Sequence, residues 1–254
     1  MKRAIFFVLL FSLLFSSPAK ATCIVYFTGI GCPHCAKTDP VIFGELVNRY
    51  NLTIIEYEIY QSRENGPILY DYNTKYSTGL GIPLVIFDES TYIIGDLPIL
   101  QTIESTINEN PTNKCLLLTG GEYPEELDLN SLPGKPKIWV KDRVLVKGSK
   151  FLPKETIFKL LFSEDPTQVL EKFNLTQAER CVPYSGGEIC FEHGVRFNTD
   201  WIFVWNGKDV NLSSIPSNQE ISSPSLNATS QLTLTKIVSL AAVDAVNPSA
   251  LAVL

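Results

Sequence analysis

Apolar residues along the chain follow two rhythms, one of period two or less and one of helical period. Cys23 to Phe27 is an unbroken apolar, β-branched run that reads as a buried strand and stops at Thr28-Gly29. After the tight segment Gly31-Cys32-Pro33-His34-Cys35, a helix is expected from Cys35 toward Tyr50, because Ile42, Phe43, Leu46, Val47 and Tyr50 recur on one face. Thr53 to Tyr60 alternates as a second strand, and Pro67 to Tyr76 reads as a helix with Pro in its first turn. Pro83–Phe87 and Tyr92–Ile94 then predict a hairpin, and Pro98–Ile107 a closing helix. This order makes residues 22–110 an α/β unit.

Residues 111–180 echo that unit. Lys114-Cys115-Leu-Leu-Leu-Thr-Gly resembles Thr22-Cys23-Ile-Val-Tyr-Phe-Thr-Gly, and Gly134-Lys-Pro136-Lys-Ile-Trp-Val resembles Gly81-Ile-Pro83-Leu-Val-Ile-Phe. Leu97-Pro98 and Leu152-Pro153 each open a helix. A shortened, degenerate repeat lacking Cys-x-x-Cys is therefore expected. Residues 181–212 carry Val195, Phe197, Trp201, Ile202, Phe203, Val204 and Trp205 between Gly-Gly and Asn-Gly turn signals, which predicts a small β-rich segment.

The two ends differ from the middle. Residues 1–21 read as an export signal: Lys2 and Arg3, an apolar run from Ala4 to Phe15, and the small-residue pattern Ala19-Lys20-Ala21. Residues 213–231 are a Ser/Pro/Asn linker, and 232–254 are apolar, like the start of a transmembrane segment. Asp244 within that stretch is costly facing lipid, so the chain is expected to be the N-terminal portion of a longer membrane protein.

Composition narrows the function. With 45% hydrophobic and 19% charged residues a packed core is expected, and a net charge of −6 without a Lys/Arg run argues against nucleic acid as a partner. All six cysteines lie beyond the signal, where an oxidising compartment permits pairing. The sequons at Asn51, Asn174, Asn211 and Asn227 are consistent with an exported surface. Cys181 and Cys190 bracket a Gly-Gly turn and are expected to staple a hairpin as a structural disulfide, with a second redox pair as the alternative. Cys23 and Cys115 occupy like positions in the two copies and either pair or stay buried thiols.

Cys32 and Cys35 carry the candidate chemistry. Disulfide exchange needs a thiolate to attack and a second thiol to resolve the mixed disulfide. A Cys-x-x-Cys at a strand-to-helix turn supplies both: Cys32 is expected at an exposed helix start that favours a negative sulfur, and Cys35 deeper in the first turn. The rival is zinc, with Cys32, His34 and Cys35 as ligands, but a closed site wants four and no second Cys-x-x-Cys exists.

Strand, Cys-Pro-His-Cys, helix, Pro40 five residues after Cys35, and Gly81-Ile82-Pro83 together resemble the thioredoxin superfamily. The resemblance implies a glutaredoxin-sized thioredoxin-like fold over 22–110 and makes Pro83, expected cis, a platform for the substrate's extended chain. It makes Cys32 the nucleophile and Cys35 the resolving thiol, and the pair Pro33-His34 resembles that of oxidising members, in which the histidine stabilises the thiolate. The implied activity is extracytoplasmic protein-disulfide exchange without a cofactor, on protein thiols and disulfides. The tail around Asn247-Pro248-Ser249-Ala250 resembles the opening of the cytochrome c biogenesis transmembrane family, implying membrane attachment and a membrane electron donor, although Ser249 stands where that family has its relay cysteine. Pro-His points to oxidation and the tail to reduction. The alternative class is a non-catalytic redox-sensing or partner-binding module.

Overall fold

The computed structural model describes residues 21–210 and 212. The signal, apart from Ala21, and the linker and apolar tail lie outside the described residues. Among the described residues no helix is long and apolar enough to cross a membrane.

The structure is mixed α/β, organised on one nine-stranded sheet. Its centre is β1 (Thr22–Thr28) beside the parallel β2 (Leu52–Glu58), and every residue of both strands is buried. Strands buried on both faces read as continuous rather than alternating apolar runs. On one face Ile24, Tyr26 and Ile54 meet Ile42, Phe43 and Leu46, which belong to the helical segment that begins as α1 (Cys35–Asp39). On the other, Val25, Phe27 and Tyr57 meet Leu69 and Tyr72 of α2 (Gly66–Tyr76). The helical segment continues from α1 as a π-helical stretch (Pro40–Leu46) and ends in an α-helical turn (Val47–Arg49). Pro40 has no N–H to return to the preceding turn, which accounts for rewinding at that residue.

β3 (Leu84–Ile86) pairs antiparallel with β1 and with the edge strand β4 (Tyr92–Ile94), and α3 (Asp96–Glu109) follows. The helix starts two residues before Pro98, with the Asp96 carboxylate in its first turn, where the helix dipole favours negative charge.

Residues 111–180 do not build a sheet of their own. β5 (Cys115–Leu117) and β6 (Gly120–Glu122) form a separate two-stranded ribbon, turned back at Gly120, whose φ is 125°. β7 (Lys137–Val140) and β8 (Arg143–Val146) instead add antiparallel to the free edge of β2. The hairpin-then-helix part of the echo is present, since α4 (Lys154–Phe162) follows Pro153. The strand that matched β1, β5, is not paired into the nine-stranded sheet, and the peptide before Pro136 is not cis, Ile82–Pro83 being the one cis bond among the described residues.

After α5 (Thr167–Leu170), β9 (Leu175–Gln177), β12 (His193–Phe197) and β13 (Ile202–Trp205) extend the same sheet, in the order β4-β3-β1-β2-β7-β8-β13-β12-β9. Between β9 and β12, β10 (Cys181–Tyr184) and β11 (Gly187–Cys190) leave the sheet as a hairpin, with Cys181 opposite Cys190 and the two bonded as a disulfide. Its Val182, and Phe191 just after β11, pack in the cluster that holds Phe43 and Trp139, which puts the hairpin on the α1 face.

Cys23 and Cys115 are bonded across a sequence separation of 92, with Cα atoms 5.0 Å apart. Beside them Asn113 accepts the Cys23 N–H at 2.7 Å and donates to the carbonyls of Cys23 and Phe87, so the part of β1 that β3 does not reach is still paired. Closing a loop this long stabilises by roughly 2–5 kcal/mol. The double variant Cys23→Ala/Cys115→Ala is expected to lose an amount in that range in urea unfolding, and an unchanged midpoint would show that the crosslink adds nothing.

Candidate functional site

The site begins where β1 runs out. Thr28 ends the strand, and the loop Gly29–His34 turns the chain into α1, with the Cys32 N–H donating to the Gly29 carbonyl at 3.0 Å. Glu58, at the end of β2 and 2% exposed, anchors this loop. One of its oxygens accepts the N–H groups of Ile30 and Tyr60 at 2.9 and 2.8 Å, and the other those of Gln61 and Ser62 at 2.9 and 2.8 Å. These four bonds hold the two loops flanking the sheet end as one unit.

Cys32 and Cys35 are unbonded thiols, and both are buried. The exposed position expected of Cys32 is not found: its exposure is 0%. Its side chain packs in the apolar cluster that holds Phe27, Tyr57 and Ile82, and the tip of the distant β10–β11 hairpin lies on the start of α1. The Ser185 hydroxyl donates to the Cys32 carbonyl at 2.8 Å, and a Cβ added to Gly186 would sit 3.3 Å from the Ala36 Cβ.

The two sulfurs are electrostatically unlike. Cys32 accepts the Cys35 N–H at 3.2 Å. Its thiol is lowered to about 7, first by a hydrogen bond from Cys35, then by the N–H groups of Cys35 and His34 and the His34 charge, against the opposing effect of burial. Burial pushes the Cys35 thiol far upward, and the neighbouring Cys32 sulfur adds to the shift. Near neutral pH Cys32 is therefore the more readily ionised of the two sulfurs, and Cys35 holds its proton.

The Pro33 side of the turn is exposed, and His34 is half-buried at the N-cap of α1. His34 Nδ1 lies 3.1 Å from the carboxylate of Asp96, which also takes the Lys37 ammonium at 2.6 Å. Lys37, then His34, hold Asp96 down at about 2. Pro83 is buried at the head of β3, its peptide bond with Ile82 is cis, and its carbonyl accepts the Gly95 N–H at 2.8 Å. Ile82 packs in the same apolar cluster as Cys32 and Cys35. The expected residues 32, 34, 35 and 83 thus gather at one end of the sheet. Cys181 and Cys190 sit at the base of the hairpin whose tip reaches the same place.

Beneath the pair is Asp39, which sequence reasoning missed. It lies one helical turn after Cys35, on the same face, and is 0% exposed. One carboxylate oxygen accepts from Tyr26 at 2.6 Å and Thr28 at 2.8 Å, and the other accepts the Ser185 N–H at 2.9 Å. Burial raises Asp39 to about 6, while these three donors limit the rise. The Thr28 hydroxyl, which donates to Asp39, and the Asp39 charge both act on the Cys35 thiol, Thr28 lowering it and Asp39 raising it. The spacing of four from Cys35 was the available signal for Asp39. Ser185, which is 153 residues from Cys32, left none.

The ligating atoms of Cys32, His34 and Cys35 do not converge as a metal site. The only such cluster among the described residues is Cys181, Glu188 and Cys190, whose two sulfurs are bonded to each other.

Iodoacetamide is expected to carbamidomethylate Cys32 alone, with a rate that rises through about pH 7 and stays below that of an exposed thiol. Peptide mapping checks this, and labelling of Cys35 first would reverse the roles. Compared with models of known families, with curated proteins and with solved structures, the chain matches none.

Proposed function

We propose that this chain is an extracytoplasmic thiol–disulfide oxidoreductase acting on protein disulfides, built on a thioredoxin-like arrangement of residues 22–110. The observation that carries the reading is the asymmetry of the pair: one sulfur lowered to about 7 and bonded by helix N–H groups, the other held protonated beside a buried carboxylate. Support for the fold is the order β1-α1-β2-α2-β3-β4-α3, with β1 between parallel β2 and antiparallel β3 and Pro83 at the head of β3. Two formed disulfides beside two free thiols support an oxidising compartment in which this pair is kept apart from the structural ones.

The chemistry follows from the positions. The Cys32 thiolate attacks a substrate disulfide, forming a mixed disulfide and releasing one substrate thiolate. Cys35 gives its proton to Asp39, and its sulfur attacks Cys32, releasing the second substrate thiolate and leaving Cys32–Cys35 oxidised. Two electrons pass to the substrate, and a dithiol donor must return them. Cys-x-x-Cys nucleophiles range from about 7 in thioredoxin to about 3.5 in a strong oxidase. Cys32 lies at the upper end, which favours reduction over the oxidation that Pro33-His34 implied. The tail at 232–254 makes a membrane dithiol carrier the natural donor.

The burial of Cys32 favours a second reading, a redox-sensing or partner-binding module whose thiols never turn over. Insulin reduction driven by dithiothreitol separates the two. The wild-type chain is expected to accelerate it, Cys32→Ser to fall to the uncatalysed rate, and Cys35→Ser to accumulate a mixed disulfide with insulin. A wild-type chain no faster than Cys32→Ser would favour the module.

A further inference from the structure

The β10–β11 hairpin touches the redox pair with its tip, at Ser185. This residue is 1% exposed and spends both of its donors on the site: the N–H on Asp39 and the hydroxyl on the Cys32 carbonyl. The Asp39 oxygen it reaches is the one that Tyr26 and Thr28 leave free. We propose that Ser185 is a positioning residue of the redox site, whose backbone N–H keeps Asp39 able to accept the Cys35 proton. The proposal rests on the oxidoreductase reading above.

Two features suit the tip to this task. Ser185 and Gly186 are the two turn residues, and Gly186 has φ 93° while Ser185 lies outside the positive-φ region, as in a type II turn. Gly186 also permits the close approach to Ala36, where a side chain would lift the tip. At the other end of the hairpin the Cys181–Cys190 bond joins opposed residues and limits the freedom of the strands that carry the tip.

The charged and titratable groups facing Asp39 are Tyr26 from β1, Cys35 from α1 and Glu56 from β2. Lys137 of β7 and the Trp139 indole hold Glu56 at 2.7 and 2.6 Å. None of these donates to the oxygen that Ser185 reaches. Removing the Ser185 N–H therefore leaves that oxygen without its donor and raises Asp39 further. A base works as its carboxylate, so a raised Asp39 moves the rise of Cys35 reactivity to higher pH.

Stopped flow with an aromatic disulfide reads this directly in the full chain. A first burst of coloured thiolate reports attack by Cys32, and a second phase, independent of reagent concentration, reports resolution by Cys35. Ser185→Pro suits the test, because Pro fits the second position of a type II turn after the extended Tyr184 and deletes the N–H. The wild-type second phase should rise with a midpoint near 6, set by Asp39. In Ser185→Pro the midpoint should move up by about one pH unit, slowing resolution several-fold below it and sparing the rate well above it. Ser185→Ala, which keeps the N–H, should leave the midpoint in place. Gly186→Ala lifts the tip by another route and should shift it upward, which keeps the test intact if Ser185→Pro does not fold. A folded Ser185→Pro or Gly186→Ala with the wild-type midpoint would overturn the proposal, as would a Ser185→Ala shift equal to that of Ser185→Pro. Persistence of the rise in Asp39→Asn would instead remove Asp39 as the base, and loss of the first burst in the wild-type chain would count against the redox reading itself.

Discussion

A carboxylate taken out of water costs several kcal/mol unless donors replace its hydration, and at Asp39 those donors come from two segments about 150 residues apart in sequence. Tyr26 and Thr28 approach from the central strand and Ser185 from the tip of the β10–β11 hairpin. The proposed redox site depends on that convergence. With its three donors Asp39 settles at about 6, low enough to be a carboxylate at neutral pH and high enough to accept a proton. Stripped of donors it would be protonated and idle, and with a cationic partner it would be too weak a base. The strand below and the hairpin above are therefore parts of one electrostatic device.

The wide sheet places the hairpin. β7 and β8 continue past β2, β13 and β12 continue past β8, and the hairpin leaves from between β9 and β12 to fold back over the α1 face. The later strands thus bring Ser185 and Gly186 against the start of α1. On the proposed reading, reaction with a protein disulfide requires the buried Cys32 sulfur to be uncovered, and the hairpin tip is bonded to the Cys32 carbonyl. The base of the hairpin is stapled by Cys181–Cys190, so movement is expected at the tip.

Much of this was legible in the residues. The strand at Cys23–Phe27, the turn at Cys32–Cys35, the hairpin at 83–94 and the Cys181–Cys190 pair all rest on local signals, namely period, Gly and Pro placement and cysteine spacing. What escaped was non-local. No feature of Lys137–Val146 says that it will pair with β2 and not with a copy of β1, because an apolar hairpin fits any free edge of matching pattern. Nothing about Ser185 or Glu58 points to the loop around Cys32, since their roles come from where the sheet delivers them. Asp39 was within reach, as an acid one turn beyond Cys35, but its bond to Ser185 was not. The exposure expected of Cys32 failed because its side chain packs in a cluster gathered from distant elements.

The central claim is that Cys32 and Cys35 form a reversible disulfide at the reducing end of the Cys-x-x-Cys range. The most direct measurement is the reduction potential of the pair, obtained by equilibrating the full chain with glutathione buffers of graded ratio and counting the thiols at 32 and 35 by mass after acid quenching and alkylation. The account predicts a two-electron transition with a potential of about −270 to −200 mV. A pair that stays dithiol at every ratio, or one with a potential near about −120 mV, would contradict it.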